Sequence, residues 1–144
     1  MSTLYLLDTN TFSYIVTGVS SAARTEFQRW LGDPDAKLCL SSITEAEVRY
    51  GMAKRALGAA RVRAIENLFS TVEVLPWDSR AAAVYGKARA EIEAQGLAVA
   101  AMDMLIGAHA ASLGAVLVTR DAIFHRIGPV LGLSATVNWA TDLL

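Results

Sequence analysis

Four acidic residues in this chain stand where a carboxylate can do chemistry. Asp8 ends the apolar run Leu4 to Leu7, which reads as a buried strand because it is continuous and does not alternate. Glu47 follows the strand expected over Lys37–Leu40, in the first turn of the next helix. Asp121 lies just past the apolar strand 115–118. Asp103 sits in an otherwise apolar stretch, with Val99-Ala100-Ala101-Met102 before it and Met104-Leu105-Ile106 after. A charge among such neighbours must be paired or bind something. Two like charges about 4 Å apart, at an effective dielectric near 20, repel by about 4 kcal/mol. Acids brought together therefore raise their pKa values or take up a cation. With one cysteine and two scattered histidines, an oxygen-only set suits Mg²⁺ or Mn²⁺ and not zinc. The plain alternative is helix chemistry: acids in a first turn suit the macrodipole, and Thr44 with Glu47 reads as a capping box.

The elements that must position these acids alternate. After the first strand comes a helix carrying Phe12, Ile15 and Val16, for which Thr9 and Asn10 make a good capping neighbourhood. Ser20 and Ser21 open a second helix, which stops at Gly32-Asp33-Pro34-Asp35. Helices are expected from Thr44 to Ala56 or Leu57, from Ala59 to Phe69, from Arg80 to Gln95 and from Met102 to Leu113. Strands are expected over Val72–Leu75 and 115–118, with an edge strand from Leu133 to Val137 and a short turn or helix from Asp121 to His125. Short apolar strands between helices predict an α/β domain of three layers with a mainly parallel central sheet. In such sheets ligands bind outside the carboxyl ends of the strands, where three of the four acids fall. Asp103 joins them if its helix starts from the same edge.

The whole chain, 1–144, is expected to be one domain. Its hydrophobic share is 53%, its charged share 19% and its mean hydropathy +0.36, apolar enough to suggest a dimer or an obligate partner. The helix faces of Phe27 and Trp30, and of Val62, Ile65 and Phe69, suit either role. A net charge of −1 excludes the global basic field of many DNA-reading modules but leaves room for local RNA contacts. The run Leu97–Leu105, interrupted by Asp103, is too short for a membrane span. Without a signal-peptide pattern, and with Cys39 read as a buried thiol, a cytoplasmic location is the expectation.

Asp8-Thr9-Asn10, Ser42-Ile43-Thr44 with Ala46-Glu47-Val48-Arg49-Tyr50-Gly51, Asp103-Met104-Leu105-Ile106-Gly107-Ala108-His109-Ala110 and Leu117-Val118-Thr119-Arg120-Asp121 together resemble the PIN-domain ribonucleases. Among these they look like the VapC-type toxins of bacterial toxin–antitoxin pairs. Leu75-Pro76-Trp77-Asp78 and Val137-Asn138-Trp139 extend the likeness over nearly the whole chain. The resemblance implies a PIN-like α/β/α fold and a catalytic quartet of Asp8, Glu47, Asp103 and Asp121. It also implies metal-assisted hydrolysis of RNA, with Asp8 and Asp103 as the principal Mg²⁺ ligands and Glu47 and Asp121 completing the site. Thr9, Asn10 and Thr119 would orient carboxylates or touch phosphate, although Thr9 and Asn10 serve equally as caps. It implies a homodimer and neutralisation by a cognate antitoxin, whose C-terminal segment lies in a groove of helices near the site, with DNA met only through that partner.

The rival reading is a catalytically weak PIN module acting as co-repressor in a DNA-bound complex. Glu45 and Gly107 depart from the family pattern, Glu45 as a surface residue or auxiliary ligand and Gly107 as a slight loosening of its helix. His109 reads as core or interface and His125 as a solvated loop residue. Arg49, Lys54, Arg55, Arg61 and Arg63 are solvated or hold RNA phosphates, and Arg120, beside Asp121, is the cation best placed to meet substrate, with plain solvation an equal alternative.

Overall fold

A computed structural model describes residues 2–144. The elements run β1 (Thr3–Leu7), α1 (Thr9–Thr17), α2 (Ser21–Leu31), β2 (Ala36–Ser41), α3 (Ser42–Lys54), α4 (Ala59–Thr71), β3 (Glu73–Leu75), α5 (Ser79–Ala94), α6 (Ala101–Leu113), β4 (Val116–Val118), α7 (Ile123–Leu131) and β5 (Ala135–Val137). The five strands form one sheet in the order β3-β2-β1-β4-β5, and every pairing is parallel. The chain winds outward from β1 through β2 to β3, then returns to the other side of β1 for β4 and β5. The winding direction therefore reverses between β1 and β4, the place where open parallel sheets form a crevice at their carboxyl edge.

Successive strand residues point to opposite faces, and both faces are covered. Leu7, Leu38, Leu40 and Val118 pack with Phe12, Phe27, Ile65 and Leu68 under α1, α2 and α4. Leu6, Cys39 and Leu117 pack with Ile92, Met104, Ile106 and Phe124 under α5, α6 and α7. This is the expected three-layer α/β/α arrangement. Burial pushes the Cys39 thiol up to about 12, so it stays protonated and inert.

Parts of the two helix faces expected to serve a partner also pack within the fold. Phe27 and Ile65 are buried, Trp30 stacks on Tyr5 with ring centroids 5.2 Å apart, and Phe69 meets Phe12 at 5.0 Å. Aromatic area of this size is more stably buried against the sheet than left to solvent. The short turn or helix expected over Asp121–His125 is a helix that begins at Ile123, runs nine residues to Leu131 and passes through Pro129. Phe124, Ile127 and Leu131 bury one face of it, and that packing outweighs the proline; His125 is exposed on a helix, not in a loop. Gly107 is a packing residue as well: a Cβ there would stand 2.8 Å from Leu131 Cδ1 and 3.0 Å from Phe124 Cε1. Its lack of a side chain lets α6 approach α7, which is a stronger reason than helix loosening.

Candidate active site

Asp8 is itself the N-cap of α1, with Oδ1 accepting from the Thr11 N–H at 2.8 Å, so Thr9 and Asn10 lie inside the helix and do not cap it. Its own N–H donates to the Val118 carbonyl at 3.0 Å, which locks the end of β1 to the end of β4 across the crevice. Only 7% of Asp8 is exposed. Burial holds its carboxyl above the usual carboxylate range, and the charge of Asp121 adds to that; hydrogen bonds from Thr119 and Thr11 pull the other way.

Thr119 is buried beside it, and its hydroxyl oxygen accepts from the Asp121 N–H at 3.1 Å. One threonine thus spans two of the acids. Asp121 is exposed, and its Oδ1 accepts from the Ile123 N–H at 3.0 Å as α7 begins.

Glu47 is the sixth residue of α3, in its second turn and not its first. The helix starts earlier than the capping-box reading puts it, because the Ser41 hydroxyl accepts from the Ile43 N–H at 3.1 Å and acts as the cap. Thr44 is thereby released from capping. Fully buried, it places its hydroxyl 3.1 Å from that of Thr9, whose own proton goes to Glu47 Oε1 at 2.7 Å. The Thr44–Thr9–Glu47 chain fixes the carboxylate, and the part of Thr44 in it was concealed in the sequence behind the capping-box pattern. Replacing Thr9 with Ala removes the donor but keeps a helix former, so cleavage of the substrate proposed below should fall roughly 10–100-fold with unfolding temperature nearly unchanged. Full activity of that variant in a cleavage assay would remove Thr9 from the machinery. Asn10 is exposed and lines a groove together with Thr9 and Glu47.

Asp103 enters from the opposite layer, in the first turn of α6, and is half-buried. Its carboxyl is held above the usual range by burial first, then by the charges of Asp121, Asp8 and Glu47 in that order. Because α6 leads into the parallel strand β4, its first turn starts from the carboxyl edge at which Asp8 also lies. Among the described residues no three Asp, Glu, His or Cys side chains are grouped so as to hold a metal ion. The donor chemistry nevertheless fits a hard divalent ion: all four carboxyls offer oxygen, and burial, with neighbouring charge, disfavours the ionised form of Asp8 and Asp103 in a way that a cation would offset.

Neighbouring residues sort themselves by contact. Glu45 is paired with Arg49 at 3.0 Å, and Arg49 also reaches Glu66 at 3.0 Å, so neither is free for metal or phosphate. The Arg120 guanidinium donates to the Leu144 carbonyl. His109 is buried in the core, its Nδ1 2.8 Å from the Ser41 hydroxyl, and burial pushes its pKa down. The Trp77 indole donates to the Leu105 carbonyl at 2.8 Å, while its backbone N–H donates to the Ser42 hydroxyl at 3.0 Å. That pair of bonds ties α6, which carries Asp103, to the start of α3, which carries Glu47.

A five-stranded parallel sheet with acids at its switch point defines a class of protein, and comparison with known proteins supplies the family. The PIN domain family model matches residues 5–129. The chain is 34% identical over 125 residues to the tRNA(fMet)-specific endonuclease VapC of Shigella flexneri, covering 86% of this chain and 92% of that one. It is 33% identical over 135 residues to ribonuclease VapC2 of Haemophilus influenzae, covering 94% and 97%. The crystal structure of VapBC2 from Rickettsia felis bound to a DNA fragment from their promoter superposes with a TM-score of 0.84 at 27% identity, over 94% of this chain and 98% of that chain. The chain belongs to the PIN-domain family, in its VapC branch.

Proposed function

We propose that this protein is a Mg²⁺- or Mn²⁺-dependent endoribonuclease toxin that hydrolyses RNA phosphodiester bonds and is neutralised by a cognate antitoxin. What supports the reading is the placing of Asp8 and Asp121 just past the ends of β1 and β4, of Glu47 tied through Thr9 to the start of α1, and of Asp103 in the first turn of α6. Relatives over nearly the full chain are named ribonucleases, which supports a nuclease.

In this reading Asp8 and Asp103 hold the ion, and Glu47 and Asp121 complete its surroundings. When bound, the ion makes water nucleophilic near neutral pH and offsets charge building on the scissile phosphate. The residues do the rest. Thr11 and Thr119 keep Asp8 in one rotamer, and Thr9 occupies Glu47 Oε1 so that Oε2 is left to orient the attacking water and take its proton. The Rickettsia felis VapBC2 complex supports an antitoxin partner. A homodimeric toxin, DNA met only through that partner and a cytoplasmic location belong to the same proposal.

The test is cleavage of total RNA by the purified chain with EDTA, Mg²⁺ or Mn²⁺. Fragments that appear only with the metal are expected. If no RNA is cut and no divalent ion binds, the chain is instead the catalytically weak co-repressor module.

A further inference from the structure

His109 is 1% exposed, in a helix whose other buried residues are Met104, Ile106, Gly107, Ala108 and Ala110. An apolar side chain would cost less to bury there, so core packing alone does not call for an imidazole. Its polar atoms are spent on two other segments. Nδ1 lies 2.8 Å from the Ser41 hydroxyl, and the ring also bonds the Pro76 backbone, which offers only a carbonyl because proline has no N–H. A neutral imidazole has one N–H. Donated to that carbonyl, it leaves Nδ1 to accept the Ser41 proton, while the Ser41 oxygen accepts from the Ile43 N–H and caps α3. Trp77 makes a second pair of bonds between the same segments. Its backbone N–H donates to the Ser42 hydroxyl at 3.0 Å, and its indole N–H to the Leu105 carbonyl at 2.8 Å.

These bonds close a triangle between the start of α3, the loop 76–78 and α6, with each corner bonded directly to the other two. The loop is itself anchored at both ends. Leu75 is paired with Ser41 in the sheet, and Asp78 Oδ1 accepts from the Arg80 and Ala81 N–H groups that open α5. The Trp77 ring meets Tyr85 of that helix edge-on, with centroids 5.9 Å apart. A satisfied polar network in a core holds one arrangement, because any slip leaves a donor or acceptor unpaired there. The triangle contains none of the four acids, but α3 carries Glu47 and α6 carries Asp103. We infer that His109 and Trp77 are positioning residues, which hold α3 and α6 at one separation and so fix the gap between the Glu47 and Asp103 carboxyls. The inference rests on the metal-dependent reading for what that gap must fit, since a small cation tolerates little error in the placing of its oxygens.

The test is calorimetric titration of Mn²⁺ into the full chain, beside thermal unfolding in EDTA and rates of RNA cleavage. His109→Leu should weaken Mn²⁺ binding roughly tenfold and lower kcat in proportion, with KM for RNA changed less than about twofold. His109→Asn, whose Oδ1 can stand in for Nδ1 and accept the Ser41 proton, should recover most of both. Trp77→Phe keeps a ring against Tyr85 and loses the indole N–H, so it should weaken Mn²⁺ binding too; it carries the test if His109→Leu does not fold. Mn²⁺ bound by these variants as tightly as by the wild type would overturn the inference. So would a loss that His109→Asn leaves unrecovered, or one that follows unfolding temperature from variant to variant, because either makes the triangle merely structural. Metal-dependent cleavage with Mn²⁺ affinity unchanged in the variants leaves the ribonuclease reading standing and removes the triangle's role. The expected affinities without any cleavage uphold the triangle and remove the activity. A wild type that binds no Mn²⁺ overturns both.

Discussion

Asp8→Asn should abolish RNA cleavage and leave a protein at least as stable as the wild type. These two effects normally oppose each other, so their combination is diagnostic. Asn is as good an N-cap as Asp, and its Oδ1 can keep the bond from the Thr11 N–H that starts α1. What the substitution removes is a negative charge that burial and Asp121 both disfavour. In metal-free solution near neutral pH the variant should therefore match or exceed wild-type stability, by up to about 1 kcal/mol. Catalysis should fall about a thousandfold or more, since a principal metal ligand contributes several kcal/mol to the transition state. Thermal unfolding in EDTA and a cleavage time course read the two quantities. Asp103→Asn should behave alike, its carboxyl being destabilised by the other three acids. Wild-type cleavage by either variant sinks the assignment, and an unfolded Asp8→Asn protein would make that charge structural.

Divalent ions should stabilise the wild type strongly at neutral pH and not at all in acid. The ordinary value for both Asp8 and Asp103 is near 3.8, and the fold raises both. Between that value and the raised one, the folded chain binds more protons than the unfolded chain. Stability of the metal-free protein must then fall as pH rises through this window and remain lowered above it. A cation at the same carboxylates reverses the loss, contributing about 2.7 kcal/mol at a hundred times its dissociation constant. For a chain of this size that is an upward shift of roughly 5–10 °C in unfolding temperature with Mg²⁺ or Mn²⁺. Below the window protons displace the ion and the shift disappears. Scanning calorimetry across pH, with and without metal, checks both limbs. A metal shift that survives in Asp8→Asn/Asp103→Asn would place the ion elsewhere.

The fold class was open to reading because the signals that specify it are local. Continuous apolar runs such as Leu4–Leu7 mark strands buried on both faces, and helical spacing marks the layers that cover them. Misreadings arose where two local signals competed. Thr44 and Glu47 match a capping box, but Ser41 starts α3 a turn earlier, and nothing in the spacing says which serine or threonine caps. Gly128 and Pro129 sit inside α7, where the burial of Phe124, Ile127 and Leu131 overrides them. The faces of Phe27 and Ile65 look like interfaces in one dimension because amphipathicity does not say whether a helix packs on its own sheet or on another chain.

By itself the sequence determined the alternation of strands and helices, the apolar surfaces that must face each other, and the placing of Asp8 and Asp121 just past strand ends, since each depends on neighbours within a few residues. The tertiary structure decided what depends on partners far apart in the chain. It set β1 beside β4, so that winding reverses where Asp8 and Thr119 end their strands. It brought Asp103 to the same edge from the opposite layer, and it bound Thr44 through Thr9 to Glu47. It also divided the cations, pairing Arg49 with two carboxylates and leaving Lys54, Arg55 and Arg61 along the groove. Charge and hydrogen-bonding capacity are written in the residue types; which groups satisfy one another is settled only when the sheet brings them within 3 Å or so.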